Sequence, residues 1–500
     1  MAKVFVAIDL GAESGRVVAL QLINKTQTFE SHEAHRFSTN IANLPSGLHW
    51  DITAIWREIV NGLSLVADWA DENGHQVSSI GVDSWGVDWG LVDGEGELLG
   101  LPHAYRDPRN QDAYQAILEQ ISSSEIYQAT GIQLMPINSL FSLFALSSHS
   151  PDLVAAADHF LHIPDLFHFF LSGQRTNEKS IASTSQLLDI KTGQWSEKLL
   201  EVCDVSTDLF APPIVPGSVI GTIRKELADE TGLSPDVQVV APASHDTASA
   251  VAAIPAHSQR KWCFISSGTW SLVGAEITAP CLSAEAEQKM FTNEAGVENT
   301  IRLLKNIGGL WLVQQCRRAF NEQGRNYTYE EITEIAKLAE PFRTLIDPDD
   351  PPFATPGKML EKINAFAKSS GQPVPETPGD YLRCCFESLA LAYRQTIDNL
   401  ESLLNESFEV IHIVGGGGKN NLLNGMTANA CGKPVIVGPI EATALGNSLI
   451  QAKAMGEIND LDELRKVVSN TVAPQEFLPE DSSDWDEAYQ RFLQIPGRSY

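Results

Sequence analysis

Three glycine-bearing turns, each directly after a run of strand-forming residues, are the parts of this sequence best suited to grip a phosphate. Asp9-Leu-Gly-Ala-Glu-Ser-Gly15 follows Val4–Ile8, Gly268-Thr269 follows the run from Lys261, and Gly415-Gly-Gly-Gly418 follows Ile411–Val414. Glycine lets backbone N–H groups face an anion with no side chain in the way. Four successive glycines are entropically costly to order, so something is expected to approach that backbone closely. Neither a P-loop nor a dinucleotide fingerprint fits. Ile413 stands where a P-loop needs its first glycine, and Asn420 occupies both the Ser/Thr position and the last fingerprint glycine. Asp9, at a strand end, can hold Mg²⁺ through water.

Two further blocks carry chemistry. In His245-Asp246-Thr247 a carboxylate opens a helix of small residues. The helix N-terminus favours its ionised form, which can take a proton from a hydroxyl as that oxygen attacks phosphorus. The same residue type at the same position also serves as an N-cap, as does Ser244, so the spacing leaves cap and base both open. In Asp83-Ser-Trp-Gly-Val-Asp-Trp89, aromatic faces can cover sugar C–H groups while carboxylates bind hydroxyls. An ordinary strand with one polar face reads the same way.

The elements that must position these residues alternate in the α/β manner. Val4–Ile8 and Val17–Leu22 read as a hairpin, and residues 80–92 as a later strand. Asp51 can cap a helix to about Asp71, with Ile52, Ile55, Trp56, Ile59, Leu63 and Val66 on one face. Residues 261–273 repeat the strand–turn–strand opening about 260 residues later, which suggests two domains of related fold. Helices of small residues, after Ser244 and again over 441–456, can approach closely and are expected to cross at the domain junction. The Pro-rich stretches at 347–352 and 373–378 read as loops flanking a helical insertion.

With 500 residues and 43% hydrophobic content, the chain can bury more than one core. Its net charge of −29 excludes nucleic acid and anionic membrane surfaces as partners, and requires any nucleotide site to be locally favourable to anions. The seven cysteines include no Cys-x-x-Cys pair, which fits a reducing compartment. No apolar run is long enough to span a bilayer, and Asp9 interrupts the only strand-like run near Met1, so the expected location is cytoplasmic.

These blocks, in this order, resemble the FGGY carbohydrate kinases of the actin-like ATPase superfamily. The segments that carry the resemblance are Asp9–Arg16, Asp83–Asp88, Leu101-Pro-His-Ala-Tyr-Arg-Asp107, Ala243-Ser-His-Asp-Thr-Ala-Ser-Ala-Val251, Ser266-Ser-Gly-Thr-Trp-Ser271, Leu304-Lys-Asn-Ile-Gly-Gly-Leu-Trp311, Ile413–Gly417 and Gly438–Asn447. They span nearly the whole chain. The resemblance implies two ribonuclease-H-like α/β domains with a central cleft: 1–245 mainly sugar-binding, 246–470 mainly ATP-binding, and a tail over 471–500. It implies transfer of the γ-phosphoryl group of ATP to O1 of a small sugar, L-rhamnulose by the most specific blocks. Asp246 would be the base, with Gly86, His245, Thr247 and Asn306 on the sugar. Ala12, Glu13, Ser14, Gly15, Arg16, Thr269, Gln314 and Gly416 would touch ATP, and Asp9 would stand near Mg²⁺. Glu13 departs from the Ser or Thr usual in this superfamily. A carboxylate there must turn away from the triphosphate or meet Mg²⁺ or Arg16.

Overall fold

The computed structural model describes residues 2–23, 25, 27–256, 260–480 and 483–495. Part of the 471–500 tail therefore lies outside the described residues. Contacts divide the chain into two units: Met1–Pro255 with Glu276–Leu303 and Ala442–Val472, and Ala256–Ala275 with Leu304–Glu441 and Ala473–Tyr500. This division differs from a break at 245/246. The segment carrying Asp246 and the small-residue helix after residue 441 both belong to the first unit, because that helix packs on its sheet.

The first unit is built on β1 (Ala2–Leu10), β2 (Ser14–Ile23), β3 (Thr28–Ser38), β4 (His75–Ser84), β5 (Ser218–Thr222) and β6 (Gln238–Ala241), in the spatial order β5-β6-β4-β1-β2-β3. β1 and β2 form the expected antiparallel hairpin. β4 lies parallel to β1 and β6 parallel to β4, so three strands end at one edge. The strand expected over 80–92 is interrupted: β4 stops at Ser84, and a separate short strand, Trp89–Val92, follows. Val87 between them takes a positive φ of 69°, which breaks the run.

Helix α1 (Ile52–Glu72) starts where Asp51 accepts a hydrogen bond from the Ala54 N–H, as its sequence predicts. Its buried face, Ile52, Ile55, Ile59, Leu63 and Val66, shares a core with Val4, Val6 and Ile8 of β1. The opposite face of β1 carries Ala7, which packs with Val18 and with Ala444 of the Ala442–Ala454 helix. The sheet is thus covered on both sides where its parallel strands lie, as parallel strands require.

The second unit contains β7 (Trp262–Ser267), β8 (Ser271–Ile277) as far as Ala275, β9 (Ile301–Ile307) from Leu304 onward, β10 (Val410–Val414), β11 (Val435–Val437) and β12 (Gln475–Phe477), in the run β9-β8-β7-β10-β11-β12; the start of β9, with Arg302, belongs to the first unit. An antiparallel hairpin, then two parallel neighbours, then an antiparallel edge strand repeats the first sheet's pattern. The weak internal repeat in the sequence is therefore a repeat of architecture. The edge strand differs in origin: β5 precedes its neighbour in the chain, whereas β12 follows its neighbour. Helix α2 (Trp311–Glu322) follows β9, and α3 (Pro378–Leu404) opens with a Thr377–Asp380 capping box and Pro378 in its first turn. Between the two Pro-rich stretches lies a helix, Met359–Ser369. No helix among the described residues is long and apolar enough to cross a membrane.

Candidate active site

In the first unit, three parallel strands bring three aspartates to one edge. Asp9 closes β1 and pairs in register with Asp83 of β4. Beyond β6 the chain continues alongside β4: the Ser84 N–H donates to the Ser244 carbonyl and Ser84 bridges to His245. Asp246 follows as the first residue of the Asp246–Ala252 helix. The carboxyl ends of parallel strands are where α/β sheets place ligands.

Asp246 is not the cap of that helix. His245 occupies the cap position and makes no side-chain cap bond. Instead, Asp246 Oδ1 accepts from the Thr247 N–H (2.5 Å) and the Thr247 hydroxyl (3.0 Å). His245 Nε2 lies 3.3 Å from the same oxygen. One oxygen is anchored, and the side chain remains 32% exposed. Burial raises the Asp246 carboxyl above the ordinary aspartate range, His245 and Thr247 oppose that shift, and Asp9 adds to it. This is the arrangement a general base needs: a fixed carboxylate whose proton affinity has been pushed up.

Asp9 is held by Arg16, whose Nε and Nη2 donate to its Oδ2 at 2.8 and 2.6 Å. Asp83 is fully buried and accepts from Asn447 Nδ2 at 2.5 Å. Its other oxygen has no hydrogen-bond partner. Burial, with Asp9 and Asp246 nearby, drives the Asp83 carboxyl well above its ordinary range. Asn447 reaches it from α4 (Ala442–Ala454), where Gln451 one turn on bonds the Val6 carbonyl and Ser79. No local pattern in the sequence marks Asn447 for this role.

The remaining first-unit candidates sit in turns. Gly11 N–H closes the β1–β2 turn onto the Ser14 carbonyl, and Thr39 clamps it from outside through Gly11 and Glu13. A Cβ on Gly15 would meet the Phe37 ring at 2.5 Å, so that position has a packing requirement of its own. Glu13 is exposed, while Arg16 is engaged with Asp9. Gly86 packs on Thr184, whose hydroxyl accepts from the Val87 N–H. Asp88 beside it accepts from the indoles of Trp50 (2.6 Å) and Trp85 (2.8 Å). The aromatic–carboxylate block is therefore built largely inward, with Trp85 and Asp88 both buried.

The second unit gathers the other candidates. Thr269 sits in the β7–β8 turn, whose carbonyls at Gly268 and Thr269 accept from the N–H groups of Leu310 and Trp311 at the start of α2. Gln314, one turn into α2, reaches the Thr269 hydroxyl at 3.5 Å. The glycine run follows β10, beside β7. Gly415 has φ +87° and leaves no room for a Cβ against Ser267, and Gly417 abuts the Ser267 hydroxyl. Gly416 alone of the run faces open space. Asn306, on β9, belongs to this unit.

Among the described residues, no group of three or more His, Cys, Asp or Glu side chains can cage a metal. The hard carboxylates at the strand ends instead suit a hydrated Mg²⁺ carried largely by phosphate oxygens, which needs only one or two protein carboxylates.

Residues 4–253 match the N-terminal domain, and residues 263–455 the C-terminal domain, of the FGGY family of carbohydrate kinases. The chain is 44% identical over 492 residues to a rhamnulokinase of Bacteroides thetaiotaomicron, covering 98% of this chain and 99% of that protein. It is 39% identical to a rhamnulokinase of Oceanobacillus iheyensis over 93% of this chain and 96% of that protein. Among solved structures, gluconate kinase from Lactobacillus acidophilus superposes with a TM-score of 0.81 at 16% identity, covering 99% of this chain and 98% of that one. Glycerol kinase from Plasmodium falciparum gives 0.77 at 15% identity, covering 100% of this chain and 98% of that one. Those two share the fold. With family matches over both halves and full-length relatives well above 30% identity, the chain belongs to the FGGY family of carbohydrate kinases.

Proposed function

We propose that this kinase transfers the γ-phosphoryl group of ATP to O1 of L-rhamnulose, giving L-rhamnulose 1-phosphate and ADP. The observation that carries the reading is the state of Asp246: one oxygen anchored by two donors of Thr247 with His245 Nε2 3.3 Å away, the side chain partly open, and the proton affinity raised. The sugar comes from the relatives that cover nearly the whole chain, which are rhamnulokinases. Phosphoryl transfer depends on alignment and charge neutralisation more than on covalent chemistry. Asp246 takes the O1 proton. Gly86, His245, Thr247 and Asn306 orient the sugar. Ala12 to Arg16, Thr269, Gln314 and Gly416 address ATP through backbone and short polar groups. Asp9 would hold Mg²⁺ through water, and the ion would supply neutralisation of phosphate charge there. Seven free cysteines are in keeping with a cytoplasmic enzyme.

The test is ADP production with and without L-rhamnulose, beside L-fuculose and D-xylulose. L-rhamnulose should give the highest kcat/KM, and a better rate with either competitor would reassign the substrate. Asp246→Asn should lower kcat by about 10²–10⁴-fold with ATP affinity nearly unchanged. Near-normal turnover in that variant would remove Asp246 as the base.

A further inference from the structure

Behind Asp246 stands a charged chain that the reading above does not use. Arg302 is fully buried. Its Nε and Nη2 donate to the Ala295 carbonyl at 3.2 and 3.0 Å, which fixes the plane of the guanidinium. Nη1 lies 3.1 Å from Glu294 Oε2, and Nη1 and Nη2 each lie 3.2 Å from His245 Nδ1. The Ala295 N–H in turn donates to Ser183 Oγ at 2.9 Å, so the carbonyl that orients Arg302 is itself tied down.

A guanidinium has donors only. With two of its N–H groups aimed at Nδ1, that nitrogen must be the acceptor, and the ring proton must sit on Nε2. Nε2 is the nitrogen facing Asp246 Oδ1. Glu294 Oε2 also lies 3.2 Å from Nδ1. Oε2 makes no hydrogen bond to either group, so Nδ1 is left to the guanidinium, and the Glu294 carboxylate 3.1 Å from Nη1 supplies the countercharge that makes a buried arginine tolerable there.

We propose that Arg302, charge-balanced by Glu294, is a positioning residue for phosphoryl transfer: it sets the tautomer of His245, so that Nε2–H donates to Asp246 Oδ1 and leaves the other oxygen to meet the sugar hydroxyl. This rests on Asp246 being the base. A second buried carboxylate, Glu178, steadies the same segment. It accepts from Ser180 N and Oγ, Ile181 N and Ser244 N, while Ser180 Oγ accepts from the His245 N–H. The titratable and charged groups acting on Asp246 or on Arg302 are therefore His245, Asp9, Asp83, Glu294, Glu178 and Glu276, with Arg16 beside Asp9 and Asp83.

Two measurements test it. In the full-length protein labelled with ¹⁵N-histidine, with the His245 signal assigned by its loss in His245→Gln, the ring should be protonated on Nε2. A ring protonated on Nδ1 would overturn the proposal without any Arg302 variant having to fold. In Arg302→Met, checked for native circular dichroism, the acidic limb of the kcat/KM profile for L-rhamnulose should move to higher pH by about one unit. The kcat should fall by on the order of tenfold to a hundredfold with KM for ATP unchanged. A folded variant with an unmoved limb and normal kcat would refute the role of Arg302. The two readings separate cleanly: an active Asp246→Asn sinks the base itself, whereas an inactive Asp246→Asn beside a normal Arg302→Met sinks only this proposal.

Discussion

At the scale of single residues, the glycine run after β10 shows how neighbouring positions with one side-chain type do different work. Gly417 has no space for a Cβ against Ser267, whereas Gly416 has open space and an ordinary φ. Gly416→Val should therefore leave stability within about 0.5 kcal/mol of the parent and weaken ATP binding by about tenfold or more, read by calorimetry. Gly417→Val should instead destabilise the second unit by roughly 1–3 kcal/mol through overpacking. Equal ATP affinity in Gly416→Val and the parent would remove Gly416 from the nucleotide site. Asp88 offers a test by pH. Burial raises its carboxyl to about 7, against the donors from Trp50, Trp85 and Tyr105. The native state then holds a proton that the unfolded chain releases near pH 4, so this group's contribution is greatest below that pH. It is lost as pH rises through about 7. At ~1.4 kcal/mol per decade of proton affinity, this is on the order of 4 kcal/mol. Urea titrations at several pH values should show native stability falling relative to Asp88→Asn between about pH 4 and pH 7. Parallel curves for the two proteins would mean that Asp88 stays ionised.

At the scale of elements, what the sequence disclosed and what it hid divide along a physical line. The β1–β2 hairpin, the Asp51-capped helix and the three glycine turns rest on local signals, namely alternation, capping chemistry and the cost of ordering glycine, and each lies in the structure as a hairpin, a capped helix and turns after strands. The break at Val87 was hidden, because a positive φ at a β-branched residue has no local signature and is imposed by Thr184 and its surroundings. The Asp246 carboxylate was open to reading as a cap or a base, and the structure sets the cap aside, with His245 at the cap position and Asp246 bonded to Thr247. Arg302 left a trace, a charge inside the apolar run Ile301–Leu304, but its partners Glu294 and His245 are distant in sequence and chosen by the fold. The crossing of the two small-residue helices was legible in composition, yet its place was not: both lie in the first unit. There a Cβ on Gly446 would collide with the Ser249 carbonyl. Gly446→Val should separate the helices, lower stability by roughly 1–3 kcal/mol or more, and loosen the Asp246 segment. Thermal melting and kcat should fall together, and a variant with unchanged melting would mean the two helices can part without strain.

At the scale of the whole molecule, the chain crosses between its units repeatedly instead of completing one before starting the next. The first sheet receives its last layer only when residues 442–472 return to it. That layer is chemically specific. Gln451 bonds Ser79 and the Val6 carbonyl, Asn447 bonds the Gly81 carbonyl and Asp83, and Ala444 packs on Ala7 and Val18. Without it, Asp83 loses its only side-chain donor among the described residues, and the β1–β4 face that α4 covers would stand open to water, a loss that a partly parallel sheet tolerates poorly. A fragment of residues 1–255, although it spans the whole N-terminal family match, should therefore lack a cooperative unfolding transition and disperse poorly in an ¹H–¹⁵N spectrum. Adding residues 276–303 and 442–472 through flexible linkers should restore both, because that chain contains every segment of the unit. A fragment 1–255 that unfolded cooperatively with native-like dispersion would show that the returning helix completes the site chemically, by holding Asp83, without being needed for the fold.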